Sequence, residues 1–201
     1  MSRFGLAVLA LVVGQSLFLA AMVWDRVALL RSDNVVTLRT APVDPRDIFR
    51  GDYVILTYDI AQLPLAYLEG DSDFTSGDTV LVELAQEGET WKAVSVWHEG
   101  HEAAPDDRII RGRISYISPP ATTASPGTEG DVPAPPCTDC SVLNVNYGIE
   151  SYFVPEGEGR ELESVRNDGK LTVDVALGED GTPAIKQLRI DGEPVYEEPL
   201  F

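Results

Sequence analysis

The sequence is poor in the residues on which many catalytic and nucleic-acid-binding sites depend. Its 201 residues include two cysteines, two histidines and three lysines, and 33 acidic residues outnumber 15 basic ones, for a net charge of −18. A chain this acidic is repelled by the phosphates of nucleic acids and by anionic lipid headgroups, so we predict no nucleic-acid partner. The sequence also lacks a Gly-x-Ser-x-Gly elbow, a phosphate-binding loop and a dinucleotide fingerprint. These absences exclude several common classes of enzyme.

One long apolar segment stands out near the N-terminus. Residues 4–24 carry no charge, and Gln15 and Ser16 are the only strongly polar side chains among them. At about 1.5 Å per residue, a helix of this length crosses the hydrocarbon core of a bilayer. A cleaved signal peptide is the alternative, but its apolar core is usually only about 7–15 residues long. The possible cleavage positions also place Leu19 or Phe18 where the peptidase prefers a small residue.

We therefore predict that residues 1–32 form an uncleaved membrane anchor, which contacts the lipid bilayer through residues 4–24. A short tail before such a segment usually stays in the cytoplasm, and a long domain that follows it is translocated. We expect the protein in the inner membrane of a bacterium, with its N-terminus inside and its main domain in the periplasm or outside the cell.

The chain after the anchor has the pattern of a mainly β domain, because short apolar or alternating stretches are separated by turn residues. The expected strands are residues 35–40, 53–60, 79–84, 91–97, 109–117, 142–147, 171–177 and 184–190, with a short piece at 195–196. One soluble helix is expected at residues 156–167, with a narrow apolar edge at Leu162 and Val165. The predicted fold class is a barrel- or sandwich-like β domain with one short helix, after a single transmembrane helix.

A proline-rich segment at residues 119–140 interrupts this pattern. Six of its 22 residues are proline, and most of the others are small or polar. Such a composition cannot bury enough apolar surface to offset the entropy lost on ordering, so we predict a disordered loop. The part of the chain after it is short for a core of its own. We therefore expect one domain, residues 33–201, with the loop as an excursion between two strands.

Two aromatic-rich blocks are the most distinctive local sequences. The first block is Gly51-Asp52-Tyr53-Val54-Ile55-Leu56-Thr57-Tyr58, and the second is Tyr147-Gly148-Ile149-Glu150-Ser151-Tyr152-Phe153-Val154-Pro155-Glu156-Gly157. We expect Gly51 to have a positive backbone angle and the first strand to be covered on both faces. The two blocks are expected to pair with each other or with a shared neighbour in the sheet. One core would then bury four aromatic side chains, those of Tyr53, Tyr58, Tyr152 and Phe153.

The two blocks resemble the sequence signature of the GDYXXLXY family of small membrane-anchored proteins. The residues that carry the resemblance are Gly51, Asp52, Tyr53, Leu56, Tyr58, Tyr147, Gly148, Glu150, Tyr152, Phe153, Pro155, Glu156 and Gly157. The resemblance covers most of residues 35–197 and implies no established activity, but it does imply partnership with multi-spanning membrane proteins. We therefore predict a non-enzymatic, single-pass membrane protein whose acidic β-rich domain binds a membrane-protein partner.

A membrane-associated hydrolase is the alternative function. Its catalytic carboxylates would come from Asp52, Glu150 and Glu156, close to the strand of the first block. Arg50 would hold an anionic or carbonyl group of the substrate. This hypothesis requires the four side chains to converge on one concave pocket.

A purely structural interpretation of the same residues competes with the hydrolase hypothesis. Gly51 and Asp52 would form the turn that enters a strand, with the Asp52 carboxylate bound to nearby backbone amides. Glu150 lies between apolar neighbours, and we expect its carboxylate to be held by arginines and backbone amides. Its candidate partners are Arg50, Arg111 and Arg113.

Two pairs of residues have the spacing of a structural zinc site. His98 and His101 are separated by two residues, and so are Cys137 and Cys140. The histidines follow a predicted strand, however, and the cysteines end the proline-rich segment, so spacing alone does not bring the pairs together. We predict no metal site and no cofactor. The cysteines are expected to form a local disulfide in an oxidising compartment, or to stay free in a reducing one.

Overall fold

The computed structural model describes residues 3–42, 53–101, 108–119, 141–154 and 159–197, which form a long N-terminal helix and a mainly β domain curled into half a barrel. The helices are α1 (Arg3–Leu30) and α2 (Gly159–Asn167). The strands are β1 (Val35–Ala41), β2 (Tyr53–Ile55), β3 (Thr57–Tyr58), β4 (Gln62–Pro64), β5 (Glu69–Gly70), β6 (Thr79–Glu87), β7 (Thr90–His98), β8 (Arg108–Ser118), β9 (Val142–Asn146), β10 (Ser151–Phe153), β11 (Leu171–Leu177), β12 (Pro183–Ile190) and β13 (Glu193–Glu197). The predicted fold class is confirmed.

Helix α1 is long and apolar enough to cross a membrane, and its most apolar stretch is not buried against any described part of the protein. An exposed apolar surface of this size is typical of contact with lipid. Its position near the N-terminus also matches that of a signal sequence. The last turn of the helix differs, because Leu30 is only 4% exposed and packs against the β domain.

The strands of the β domain form three groups. The larger sheet has the order β4-β9-β8-β6-β7-β5, and the second sheet has the order β13-β12-β11-β1-β3. Strands β2 and β10 form a separate two-stranded ladder. Neighbouring strands are antiparallel, except that β5 and β7 are parallel. Strands β8 and β9, on either side of the proline-rich segment, pair with each other, while residues 120–140 lie outside the described residues.

A single hydrophobic core joins these three groups of strands. Strand β1 shows how the sequence supplies residues to this core. Val36, Leu38 and Thr40 are buried, while the residues between them are more exposed. This alternation is expected of a strand with one face against a core. Leu162 of α2 belongs to the same core, and Val165 packs against it, as the apolar edge of the predicted helix requires.

The predicted single strand at residues 53–60 is wrong. The chain leaves the β2–β10 ladder at Leu56, whose N–H donates to the carbonyl oxygen of Glu150 at 2.8 Å. It then joins β1 of the other sheet as the short strand β3 and continues into a 3-10 turn, Asp59–Ala61. No glycine, proline or asparagine marks this change of sheet between Tyr53 and Tyr58, so the sequence pattern alone does not reveal it.

The short strands β4 and β5 were not predicted, because proline and glycine within them resemble turn residues. Strand β5 depends on glycine, since Gly70 has φ of +114° and a Cβ there would lie 2.0 Å from the carbonyl oxygen of Val96. The parallel pairing of β5 with β7 brings these two backbones together. A side chain at position 70 is therefore incompatible with this edge of the sheet.

Candidate functional site

The two aromatic blocks meet in space, and residues 53–60 and 147–154 together are called the block junction below. In the β2–β10 ladder, Tyr53 pairs with Phe153 and Val54 pairs with Tyr152. The predicted pairing of the two blocks is therefore confirmed. Gly51 and Asp52, with which the first block begins, lie outside the described residues, as do Pro155, Glu156 and Gly157 at the end of the second.

Two buried tyrosines, one from each side of the block junction, form hydrogen bonds to the backbone of the other side. The hydroxyl of Tyr58 donates to the carbonyl oxygen of Ile149 at 2.7 Å. The hydroxyl of Tyr147 donates to the carbonyl oxygen of Ile60, also at 2.7 Å. Burial raises the pKa of both hydroxyls, and the nearby charge of Glu150 raises it further. Both tyrosines therefore remain protonated hydrogen-bond donors at any physiological pH.

The ring of Tyr147 lies directly on the backbone of β8. A Cβ at Gly112 would come within 2.9 Å of Tyr147 Cδ1 and within 2.3 Å of a methyl carbon of Val145. Glycine at this position therefore makes room for the tyrosine ring. Sequence reasoning did not assign Gly112 a role, although a glycine inside a predicted strand is a known sign of such a close approach.

Glu150 holds the turn at the centre of the block junction. One of its carboxylate oxygens accepts a short hydrogen bond from the N–H of Tyr147, and the other accepts from the N–H of Gly148 at 2.9 Å. Gly148 has φ of +81°, a left-handed conformation that side chains disfavour. The backbone carbonyl oxygen of Glu150 in turn accepts a hydrogen bond from the N–H of Leu56. Glu150 is therefore held by backbone amides, as the structural interpretation requires.

Two of the three arginines proposed as partners of Glu150 bind elsewhere. The guanidinium of Arg111 lies 3.1 Å from the Asp180 carboxylate, and Nε of Arg113 donates to the carbonyl oxygen of Gly77 at 2.9 Å. The expectation for these two residues is wrong because they project from the face of β8 opposite to its buried residues. The third candidate, Arg50, lies outside the described residues.

A buried arginine that sequence reasoning missed joins α2 to the block junction. Arg166 is only 2% exposed, and its guanidinium donates to the carbonyl oxygen of Ile55. It also donates to the side-chain oxygen of Asn167 at 3.1 and 3.3 Å. Arg166 follows Leu162 by four residues, which places it on the apolar edge of the helix. That spacing was the signal available in the sequence.

The outer face of the β2–β10 ladder, formed by Ile55 and Phe153, is apolar and exposed. Ile55 is 38% exposed and Phe153 is 78% exposed, whereas Tyr58 and Tyr152 are buried as predicted. The expectations of a buried Phe153 and of a first strand covered on both faces are therefore wrong. Adjacent residues of a strand point to opposite faces, so the burial of Tyr152 turns Phe153 outward.

The block junction does not supply a catalytic set within the described residues. Of the four hydrolase candidates, only Glu150 is placed, and both of its oxygens accept backbone amides. Arg50, Asp52 and Glu156 lie outside the described residues. Their convergence on one pocket with Glu150 therefore stays a prediction.

The two histidines of the zinc hypothesis are engaged by different neighbours. Nδ1 of His98 lies 2.9 Å from an oxygen of Asp71, and its ring stacks on Phe74 at 4.5 Å. The ring of His101 instead stacks on Trp97 at 4.2 Å. Within the described ranges, no three His, Cys, Asp or Glu side chains are grouped so that they could hold a metal ion. Cys137 and Cys140 lie outside those ranges.

These features define a class of protein: a β-rich half-barrel that follows one apolar N-terminal helix and in which two aromatic blocks interlock. A family model described as GDYXXLXY protein matches residues 15–188, which is most of the chain. The chain belongs to the GDYXXLXY family. No curated protein and no solved structure matches it significantly.

Proposed function

We propose that the protein is a single-pass membrane protein whose acidic β domain binds a multi-spanning membrane protein outside the cytoplasm. The observation that carries this proposal is the short connection between anchor and domain. Helix α1 ends at Leu30 and β1 begins at Val35, with Leu30 itself buried in the domain. An uncleaved α1 then holds the domain against the membrane surface. Extramembrane segments of a neighbouring membrane protein are within its reach.

The proposed contact surface is the outer face of the β2–β10 ladder. Ile55 and Phe153 are exposed there, while the opposite face of the same ladder is part of the core. Aromatic side chains are enriched at the centres of protein interfaces, where a few of them supply most of the binding energy. The net charge of −18 over the whole chain favours a partner segment with basic residues.

Cross-linking in native membranes tests this proposal. The full-length protein with a C-terminal affinity tag is cross-linked and purified in detergent, and co-purified proteins are identified by mass spectrometry. Phe153→Ser is compared with Tyr116→Ser, because Tyr116 is another exposed aromatic residue, 56% exposed on β8. We expect a specific membrane protein to be recovered with the wild type and with Tyr116→Ser. Its recovery should fall by at least about fivefold with Phe153→Ser, for a loss of about 1 kcal/mol.

Two results would contradict the proposal in different ways. Recovery of the tagged protein alone, even after cross-linking, would disprove a stable partner. Undiminished recovery with Phe153→Ser would show that the partner binds another surface, and equal loss with both variants would show that the effect is not specific to the β2–β10 ladder. The anchor is tested separately by the intact mass of the mature protein, since cleavage would remove most of α1. Protease digestion of intact and opened cells then establishes the side of the membrane on which the domain lies.

A further inference from the structure

Gln15 is a polar residue at the middle of the apolar segment of α1. This segment, residues 4–24, carries no charge, and Gln15 lies one residue beyond its midpoint. If α1 is retained as the anchor, the Gln15 amide lies near the centre of a hydrocarbon core about 30 Å thick, a placement that rests on the proposed function. The side chain is too short to reach water on either side of the membrane from this depth.

The Gln15 side chain is exposed, and its amide has no hydrogen-bond partner in the part of the chain that the structure describes. An amide group has two N–H donors and an oxygen that accepts. Lipid chains offer no partner for these groups, so leaving them unpaired in hydrocarbon is unfavourable. A polar group from another transmembrane helix at the same depth would satisfy them.

Gln15 lies on a line of α1 that has the spacing of a helix pair. Residues alternately three and four positions apart follow one line along a left-handed pair of helices. This line, called the Gln15 seam below, consists of Phe4, Val8, Leu11, Gln15, Phe18 and Met22. All of these side chains are exposed in the structure, so the seam is open to a second helix.

Small residues flank the Gln15 seam at intervals of seven. Ala7, Gly14 and Ala21 each precede a residue of the seam by one position. Small side chains at a helix interface let two backbones approach closely. The described protein does not itself require a glycine at position 14, since a Cβ there would have no atom within 4 Å. Glycine is less favourable than alanine inside a helix, so Gly14 favours a close neighbour from another chain.

A second copy of the chain supplies the matching polar group without further conditions. Every copy enters the membrane in the same direction, so two α1 helices are parallel and their Gln15 residues lie at the same depth. Gln15 occupies the heptad position at which a single buried asparagine fixes the register of parallel coiled coils. Each amide of such a pair donates to the oxygen of the other. A different protein would have to place a polar residue at this depth.

The charge of the β domain opposes pairing but does not prevent it. The net charge of −18 makes two copies repel each other. At physiological ionic strength, exposed charges farther apart than about 8 Å are largely screened. The contacts between the two α1 helices lie inside the membrane, where salt does not weaken them.

We propose that α1 pairs with α1 of a second copy along the Gln15 seam within the membrane. The two Gln15 amides form hydrogen bonds with each other, and Gly14 allows the close approach that these bonds require. The two β domains are then held side by side at the membrane surface.

Energy transfer between labelled copies tests this pairing. Full-length protein with a donor or an acceptor fluorescent protein at its C-terminus is mixed in phosphatidylcholine vesicles, and transfer is measured as lipid is added. We expect transfer to rise linearly with the acceptor fraction, as for a pair, and to fall on dilution. Gln15→Leu should weaken the pair at least about fivefold. The matched control Ser16→Ala removes a polar group from another side of the helix at the same depth and should retain the wild-type affinity.

A pair of valine variants tests the close approach of the two helices. Gly14→Val adds bulk beside the Gln15 seam, whereas Ala20→Val adds it on the opposite side of α1. We expect Gly14→Val to weaken the pair at least about fivefold and Ala20→Val to leave it unchanged.

Four results of these measurements would overturn the proposal. The first is energy transfer in the wild type no greater than random encounters in the vesicle produce. The second is equal weakening by Gln15→Leu and Ser16→Ala, and the third is equal weakening by the two valine variants. The fourth is a curved dependence on the acceptor fraction, which would show a larger assembly.

A photo-reactive amino acid in native membranes identifies what occupies the Gln15 seam. At position 11, on the seam, it should cross-link to a second copy and give a product of twice the mass. At position 13, on the opposite side of the helix, it should give no such product. Cross-linking at position 11 to a different protein, or to lipid alone, would overturn the assignment of a second copy.

The intact mass of the mature protein separates this proposal from the proposed function. Loss of the anchor would disprove both. A retained anchor on a monomeric protein would disprove only the pairing. A pair that recovers no other membrane protein after cross-linking would disprove only the proposed function.

Discussion

The two faces of the β2–β10 ladder are built from neighbouring residues but have opposite environments. Tyr152 is 6% exposed and faces the core, whereas Phe153, the next residue, is 78% exposed. On the inner side, the block junction is linked by buried hydroxyls and by the Glu150 turn. The outer side makes no comparable contribution to the core. The inner residues of the two blocks therefore belong to the core, whereas Phe153 lies on the surface.

The contrast between the two faces of the ladder would fail if truncating Tyr152 and truncating Phe153 lowered the free energy of unfolding by similar amounts. We expect Tyr152→Ala to lower the free energy of unfolding by about 3–5 kcal/mol, because it leaves a cavity in the core. Phe153→Ala should change it by no more than about 0.5 kcal/mol, as is usual for an exposed position. Urea unfolding followed by circular dichroism measures both variants. A loss of more than 2 kcal/mol in Phe153→Ala would show that the outer face also supports the fold.

Removing the buried hydroxyls sharpens the comparison without opening a large cavity. We expect Tyr58→Phe and Tyr147→Phe each to lower the free energy of unfolding by about 1–3 kcal/mol, because a buried carbonyl loses its donor. Tyr116→Phe is the matched control, since Tyr116 is exposed, and it should have almost no effect. Unfolding curves of the three variants and of the double Tyr58/Tyr147 variant provide the measurement.

The double variant also tests whether the two hydroxyls act as one unit. Both bonds cross the same junction, so we expect the summed single effects to differ from the double effect by more than about 0.5 kcal/mol. Strict additivity would indicate that each tyrosine stabilises its own segment independently. A negligible effect of either single variant on the free energy of unfolding would contradict the hydrogen bond assigned to that hydroxyl.

The turn at Gly148 should contribute less than the buried tyrosines. With φ of +81°, Gly148→Ala is expected to cost about 1–2 kcal/mol of unfolding free energy, because L side chains disfavour this conformation. Gly148→Asn should recover part of the loss, since asparagine tolerates the left-handed region. Equal costs for the two variants in thermal unfolding would show that space around the turn, and not backbone conformation, is limiting.

Asp71 lies away from the β2–β10 ladder. Its replacement should have the smallest effect on the free energy of unfolding, and only at acidic pH. Hydrogen bonds from the backbone N–H and then the ring of His98 lower the pKa of Asp71 below its usual value of about 3.9. A carboxyl with a lowered pKa in the folded state stabilises the protein above its unfolded pKa and loses that contribution as the pH falls. Asp71→Asn should therefore flatten the decline of stability below about pH 4. An unchanged acid decline of the urea midpoint would contradict the assigned interaction.

Several features of the fold could be predicted from local sequence because short-range chemistry decides them. The uninterrupted apolar run at residues 4–24 accounts for most of α1, although the helix continues to Leu30, and the ends of β11 follow from turn residues on both sides. The pairing of the two blocks could also be predicted, since strands rich in aromatic and β-branched residues stabilise one another. The capping role of Glu150 was one of the interpretations the sequence left open, and it depends on amides within three residues.

The contacts that the sequence did not reveal join residues far apart in the chain. Tyr58 and Ile149 are 91 residues apart, and Arg166 and Ile55 are 111 residues apart. No local periodicity specifies such partners. The close approach of Tyr147 to Gly112 belongs to the same group, because it depends on how β8 and β9 are placed beside each other.

The sequence by itself determined a mainly β domain after one apolar helix. It also determined which side chains of a strand lie on the same face. Alternation assigns Tyr152 and Phe153 to opposite faces but does not say which of them is covered. The tertiary structure decided that, by packing the core against Tyr152 and by moving the chain to another sheet at Leu56. The physical reason is that burial depends on the whole set of packed elements, whereas periodicity records only the geometry of one strand.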